Sequence, residues 1–239
     1  MGERDLLIEK LYEKYGHENQ RRRKLTFFRK KYGWLLVVEA TKLLKRGVDL
    51  FVAASMLFLL SPLLLSTALI IKFQDGGPIL YISRRVGKWG KEFDFPKFRS
   101  MVLNADKIKG QLIDQNDHGG SVTFKMKNDP RTTSFGRFIR KFSIDELPQL
   151  WCVLKGEMSL VGPRPPLPEE VALYSMEDRR RLDTTPGLTC FWQVRGRGEI
   201  PFDQQVKLDL QYIESQSLFV DLWILLKTIP AVLLGKGAF

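Results

Sequence analysis

The sequence predicts a mainly helical α+β protein in which one long apolar helix precedes a globular domain. Three observations point there. Leu50 to Ile71 is a run of 22 residues without a charge, LFVAASMLFLLSPLLLSTALII, long enough to reach across a bilayer. After it come short apolar stretches, Ile79 with Tyr81 and Phe93 with Phe95, set apart by Gly87 and Gly90, which read as short strands. Further on, longer segments repeat apolar residues at helical spacing.

Composition narrows the class. A chain of 239 residues that is 44% hydrophobic suits one domain of ordinary size with extensions and is not disordered. Thirty-eight Lys and Arg against 27 Asp and Glu give +11, which calls for an anionic partner such as nucleic acid, anionic lipid or a phosphate substrate. Residues 21–46 hold ten basic side chains and one acidic, Glu39. Cations beside an apolar run favour lipid headgroups, and no recognisable nucleic-acid module is present, so no nucleic-acid partner is expected. Two cysteines, Cys152 and Cys190, and two histidines exclude a structural zinc site and suit a reducing cytosol. Glu3, Asp5, Glu9 and Glu13 near the start are unlike a secretory leader.

The elements follow in order. Leu6, Leu7, Ile8, Leu11, Tyr12 and Tyr15 predict a short amphipathic helix. From Arg21 to Leu36, Phe27, Phe28, Tyr32 and Trp34 alternate with basic clusters, as in a helix lying at a membrane interface or in a solvated basic linker. Residues 1–44 thus form a basic amphipathic N-terminal extension, 45–73 the membrane helix and 74–239 the globular domain. Ser61 and Pro62 interrupt the apolar run. Proline removes a helical donor and clashes with the Phe58 carbonyl, so a kink is expected. Lys42, Lys45 and Arg46 precede the run, and Lys72, Arg84, Arg85 and Lys88 follow it. Cations on both flanks do not give the lopsided pattern of a single-pass helix, which leaves a kinked spanning helix and a re-entrant one both open. Asp75 to Pro78 is turn chemistry. Helices are expected over Asn104–Ile113, Glu146–Leu154, Glu169–Leu182, Asp203–Ser215 and Leu218–Leu234, with a polar turn at Asn116–Gly120 and Pro230 ending or bending the last helix.

Chemistry concentrates between Phe138 and Pro166. Asp145 and Glu146 are adjacent carboxylates just after Arg140 and Lys141. Ser143 with Glu146 fits a capping box, an entirely structural use of the pair. A helix N-terminus also attracts phosphate, so the same residues suit an anionic ligand. Arg164 stands between two prolines that restrict it, and a guanidinium held that way can grip a phosphate with two donors. Gln193 to Gly198 interleaves glycine with Arg195 and Arg197, letting backbone approach an anion while side chains clamp it.

Taken together, several ordered blocks resemble the bacterial sugar transferases, the monotopic polyprenyl-phosphate phosphoglycosyl transferases. They are Lys45-Arg46 and Asp49 ahead of an apolar helix broken at Ser61-Pro62; FPKFRSM at 95–101; SIDELPQLWCVLKGEMSLVGPRP at 143–165; PGLTCFWQVRGR at 186–197; and DLQYI at 209–213. The resemblance implies a re-entrant membrane helix bent at Ser61-Pro62, followed by a cytoplasmic globular catalytic domain with amphipathic interfacial helices. It implies a monotopic protein on the cytoplasmic face of the bacterial inner membrane, in contact with anionic lipid. Asp145 matches a nucleophile that attacks the sugar-linked phosphate of a UDP-sugar and releases UMP. Polyprenyl phosphate, undecaprenyl phosphate in bacteria, then takes the phosphosugar. Glu146 matches the second acid, and Asp145 and Glu146 together imply Mg2+. Lys97, Arg140, Arg164, Gln193 and Arg197 match substrate-binding positions. Such a step initiates exopolysaccharide, capsule, O-antigen or glycoprotein glycan assembly. The extension 1–44 is missing from the smallest members, larger members carry several transmembrane helices there, and 106–130 is longer than in the smallest. Members of this longer form often use glucose or galactose donors. Two other readings stand beside this one: a glycosyltransferase releasing UDP, and a membrane-tethered adaptor without catalysis. A homodimer is left open.

Overall fold

The structure, a computed structural model, describes residues 3–105, 107, 129–196 and 200–234. It is mainly helical with two small sheets, as an α+β reading requires. The chain divides into two compact units, Met1–Gly47 and Val48–Phe239.

Helix α1 runs Glu3–Leu59, so the N-terminal helix is far longer than the short amphipathic one expected. The reason lies in what is missing: no proline precedes Pro62, and the isolated glycines Gly16, Gly33 and Gly47 each cost only about 1 kcal/mol in a helix. In the first unit, Leu25, Phe27, Phe28, Tyr32, Leu36 and Val37 are exposed, and Phe28 stacks on Tyr32.

In the second unit, α1 breaks at Leu60 and α2, Ser61–Asp75, begins. Pro62 cannot donate to the Phe58 carbonyl; the Ser61 hydroxyl donates to it instead at 2.8 Å. The Ser-Pro pair therefore bends the helix without orphaning that carbonyl. Among the described residues no single helix is long and apolar enough to cross a membrane, but Lys24–Leu59 and Ser61–Asp75 qualify together, bent by 59°.

Strands β1 (Leu80–Val86) and β2 (Glu92–Phe98) form an antiparallel hairpin in which Tyr81 faces Lys97 and Arg85 faces Phe93. Thr133 caps α3 (Ser134–Lys141), accepting from the Gly136 N–H at 2.9 Å. A 3₁₀ helix, Ile144–Gln149, leads into α4 (Leu150–Lys155), which Gly156 ends at φ 85°. The helix expected over Glu146–Leu154 thus starts as a 3₁₀ segment, because Pro148 deprives the backbone of a donor there.

Strands β3 (Ser159–Val161) and β4 (Gly187–Thr189) pair in parallel. Between them lie α5 (Pro168–Ala172), α6 (Met176–Arg179) and a 3₁₀ turn, Arg180–Asp183. One helix over Glu169–Leu182 was expected; Ser175 divides it by accepting from the Asp178 N–H as a new N-cap. Helices α7 (Phe191–Arg195), α8 (Phe202–Ser215) and α9 (Leu218–Leu234) complete the fold. Pro230 lies inside α9 and does not end it. Of the expected helix Asn104–Ile113, Asn104 is a turn and Ala105 and Lys107 are helix; its remaining residues and the turn at Asn116–Gly120 lie outside the described residues.

The core joins these parts. Phe93, Phe95, Leu150, Val153, Met158, Leu160, Phe191, Tyr212 and Ile224 are buried together with Ala53 of α1. The Asp49 carboxylate accepts the Leu160 N–H at 3.0 Å, tying the base of the apolar helix to β3. The Tyr212 hydroxyl sits between the Val161 carbonyl at 3.0 Å and Asp221 at 2.8 Å. Arg181 and Asp209 form a buried ion pair that fixes α8 against the 3₁₀ turn.

Candidate active site

The Asp145-Glu146 pair sits where α3 ends and the 3₁₀ helix begins. Ser143 before it adopts the left-handed conformation at φ 54°, unusual for a residue with a side chain and a form of strain that collects at functional sites. The two carboxylates take different partners. Ser143 makes no side-chain capping bond, so the capping box is not formed. Glu146 instead accepts from Lys97 Nζ at 2.7 Å and from an Arg164 terminal nitrogen at 3.3 Å, both on Oε1.

Each partner is placed by its own element. Lys97 projects from β2, which packs on the 3₁₀ helix. Arg164 lies in the loop after β3, and this loop is held by a backbone crossing with β4. Gly162 N–H donates to Thr189 O at 3.0 Å and Gly187 N–H to Pro163 O at 2.9 Å. The approach is so close that a Cβ on Gly187 would lie 2.0 Å from Gly162 N. Glycine is required at that crossing, and the crossing aims Arg164. Arg140, on the last turn of α3, donates to the Thr132 hydroxyl at 3.0 Å.

Asp145 is different. It is 7% exposed, and no hydrogen bond reaches its carboxylate from the described residues. A largely buried aspartate whose carboxylate takes no donor from the described residues is left free to meet a ligand in the cavities it lines. Burial pushes its carboxyl up to about 6, Lys97 pulls against that and the Glu146 charge adds to it. Burial would raise Glu146 too, but Lys97 and Arg164 outweigh it and hold that carboxyl far below the usual range. One acid of the pair is thus pinned as an anion and the other is exposed to what enters the site.

Two cavities of about 810 Å3 each meet at Asp145. One is the more polar of the two and is walled by Tyr81, Ser83 and Arg85 of β1, with Glu170, Tyr174 and Arg181. The other is more apolar, walled by Val52 and Met56 of α1, Leu60 at its break, and Leu225, Ile229 and Leu233 of α9. Lys97, Arg140, Asp145, Arg164 and Trp192 line both.

The structure therefore brings Asp145, Glu146, Lys97, Arg140 and Arg164 into one cluster. Gln193 lies on the wall of the apolar cavity, where its side-chain oxygen accepts from Cys190 Sγ at 3.2 Å. Arg197 lies outside the described residues. Ser61 and Pro62 stand at the helix break. Sequence reasoning missed Arg85 and Trp192 as lining residues. Alternation along β1, which puts Tyr81, Ser83 and Arg85 on one face, was the signal for Arg85.

Among the described residues no group of three or more His, Cys, Asp or Glu could hold a metal ion. Two adjacent carboxylates, one with no hydrogen-bond donor from the described residues, nevertheless suit magnesium, which takes one or two carboxylates and fills its remaining positions with substrate phosphate and water.

Comparison with known proteins places the chain in a family. The model of the bacterial sugar transferase family matches residues 40–235. A galactosyl transferase, CpsE, of Streptococcus agalactiae is 51% identical over 166 residues, 69% of this chain and 37% of that protein. The exopolysaccharide production protein ExoY of Rhizobium meliloti is 42% identical over 198 residues, 82% of this chain and 88% of that one. The undecaprenyl-phosphate galactose phosphotransferase of Salmonella typhimurium is 42% identical over 208 residues, 85% of this chain but 43% of that protein. The match to the family model spans the apolar helix, the Asp145-Glu146 cluster and both cavities, and the chain belongs to the bacterial sugar transferase family.

Proposed function

We propose that the protein transfers a phosphosugar from a UDP-sugar to polyprenyl phosphate and releases UMP, with Asp145 as the covalent nucleophile. The observation that carries this reading is Asp145 itself: a largely buried residue whose carboxylate takes no donor from the described residues, at the junction of a more polar and a more apolar cavity. A water-soluble nucleotide sugar suits the first cavity and an isoprenoid chain the second. A carboxylate where they meet can serve each in turn.

The steps balance as two displacements at one phosphorus. An Asp145 oxygen attacks the sugar-linked phosphorus, the bond from that phosphorus to the bridging oxygen breaks, and UMP leaves with the bridging oxygen. The product is an acyl phosphate between Asp145 and the sugar phosphate. An oxygen of polyprenyl phosphate then attacks the same phosphorus, and the Asp145 carboxylate departs. Splitting the transfer this way replaces one difficult step by two. Lys97, Arg140 and Arg164 line both cavities, so they can neutralise the transferred phosphate in both steps. Glu146 braces Lys97 and Arg164, and a carboxyl pinned as an anion is a poor proton carrier; its part is positioning. Asp145 and Glu146 would hold magnesium with the donor's phosphate oxygens, and the bound ion would offset charge on the diphosphate.

The relatives' names support the substrate class, since one is named for undecaprenyl-phosphate galactose phosphotransfer and another for exopolysaccharide production. On this reading the chain is monotopic on the cytoplasmic face of the inner membrane and performs the initiating step of a surface glycan. The basic, aromatic segment Arg21–Leu36 meets anionic lipid headgroups.

The test is a single incubation of purified protein with UDP-sugars and magnesium in the absence of lipid. One equivalent of UMP per enzyme, released before polyprenyl phosphate is added, is the expected result. Release of UDP would identify a sugar transfer without phosphate. No turnover with any donor and acceptor would favour the adaptor.

A further inference from the structure

We infer that Arg85 holds the phosphate that departs with the nucleotide; this rests on the phosphosugar transfer proposed above. The starting point is an accounting of the buried and partly buried cations. Lys97 and Arg164 share Glu146, Arg131 has Asp129, Arg99 has Asp75 and Arg181 has Asp209. Arg85 has no carboxylate within ion-pair distance among the described residues. A terminal nitrogen donates to the Pro165 carbonyl at 3.2 Å, while its Nε is buried with no acceptor. Burial and the neighbouring Arg164 lower its guanidinium to about 10. A partly buried guanidinium with no carboxylate partner among the described residues and an unsatisfied buried Nε is costly, and it persists where a ligand supplies the anion.

Its place in the hairpin says which anion. Tyr81 faces Lys97 and Arg85 faces Phe93, so Arg85 and Lys97 share one face of the sheet with Phe95 between them. The Arg85 guanidinium lies 5.3 Å from the Phe95 ring centre and the Lys97 ammonium 5.4 Å from it. Two cations are thereby spaced along a rigid apolar platform. Lys97, Arg140 and Arg164 line both cavities, as groups should that serve a phosphate present in both half-reactions. Arg85 lines only the polar one. A cation on the donor side alone is needed by the phosphate that occurs in the donor alone, the one bonded to the nucleoside. When the bridging bond breaks, negative charge grows on that phosphate, and a partly desolvated guanidinium already in place stabilises it there.

Arg85 could otherwise be a plain latch, fastening β1 to the loop that carries Arg164. Discharge of the covalent adduct separates the two roles. Wild-type protein and Arg85→Gln are loaded with donor to the aspartyl phosphosugar, the variant by long incubation, and excess nucleotide is removed. Each is then discharged either by UMP, running the first step backwards, or by polyprenyl phosphate. Arg85→Gln should slow discharge by UMP about 100-fold and leave discharge by lipid within about threefold, the range of a minor perturbation. Arg85→Lys, which keeps the charge but loses the planar fork, should fall between. Equal slowing of both discharges would show a latch and overturn the inference, as would no slowing of either. If Arg85→Gln does not fold or cannot be loaded, the same two discharges of Arg85→Lys decide, with slowing confined to UMP as the supporting result. Absence of an adduct on wild-type protein would overturn the covalent reading itself, and the assignment of Arg85 with it.

Discussion

Asp145 and Glu146 are neighbours in the chain, yet one is tethered by two cations and the other receives no hydrogen bond from the described residues. That asymmetry separates catalysis from capping. Were Asp145 a cap, Asp145→Asn would cost at most about 1 kcal/mol and spare the chemistry. As the nucleophile, its replacement by an amide should abolish UMP release while the protein stays folded. Intact-protein mass spectrometry after quenching with donor should show one phosphosugar on wild-type protein and none on the variant; an active variant would refute the role. Burial adds a second, independent consequence. The Asp145 carboxyl lies near 6 in the folded protein against an ordinary 3.8, so the native state holds this proton more tightly than the unfolded chain. The contribution is favourable while the group is protonated, and it is lost as pH rises from about 4 through about 6. The displacement is worth roughly 3 kcal/mol at most, less once the site relaxes. Asp145→Asn should therefore melt higher than wild type above pH 6, without divalent ions, and the gap should close toward pH 4. A gap independent of pH would assign it to packing.

At the scale of elements, the site depends on a few short pieces whose register the sequence shows unevenly. The SIDELPQL block marked the turn that carries Asp145 and Glu146, and the Ser61-Pro62 break was readable because proline has a single backbone consequence. The fourteen-residue helix α8 and the apolar helix α9 were readable from their periodicity. Strands β3 and β4 were not, since three-residue strands carry no periodic signal and pair only because the folded chain brings Ser159 beside Gly187. The five-residue α7, which presents Trp192 to both cavities, escaped for the same reason. Arg85 was visible only as one more cation after the apolar run; its burial depends on β2 and on the Pro165 loop. The β3–β4 crossing yields a test at this scale. Gly187→Ala would put a methyl group 2.0 Å from Gly162 N, so the backbones must separate. Overpacking of this kind costs about 1–3 kcal/mol. It should also displace Arg164, raising the donor KM in protein that is still folded. A variant with unchanged denaturation midpoint and donor KM would show that the crossing does not aim Arg164.

For the whole molecule, the proposed function asks which side of a membrane each end of the apolar helix would occupy. Helix α2 has fifteen residues, about 22 Å at 1.5 Å per residue, and a hydrocarbon core is about 30 Å thick. It cannot reach the far side alone, and the 59° bend at Leu60 turns it away from the line of α1. Lys45 and Arg46 at one end and Lys72 at the other favour the same anionic, cytoplasmic headgroups. The bond from the Ser61 hydroxyl to the Phe58 carbonyl matters here, because an unpaired carbonyl in lipid would cost several kcal/mol. These observations favour a helix that enters, turns and returns. Cys152 and Cys190 are buried and can be replaced, leaving single cysteines introduced by Val48→Cys and Gln74→Cys as reporters. In spheroplasts, an impermeant thiol reagent should label neither site until the membrane is opened. Pro62→Ala restores a donor to the Phe58 carbonyl and straightens the helix, so it should expose a measurable fraction of one site to the outside. Labelling of either site from outside in the otherwise unaltered protein would establish a spanning helix and defeat the monotopic reading, while leaving the assignment of Asp145 intact.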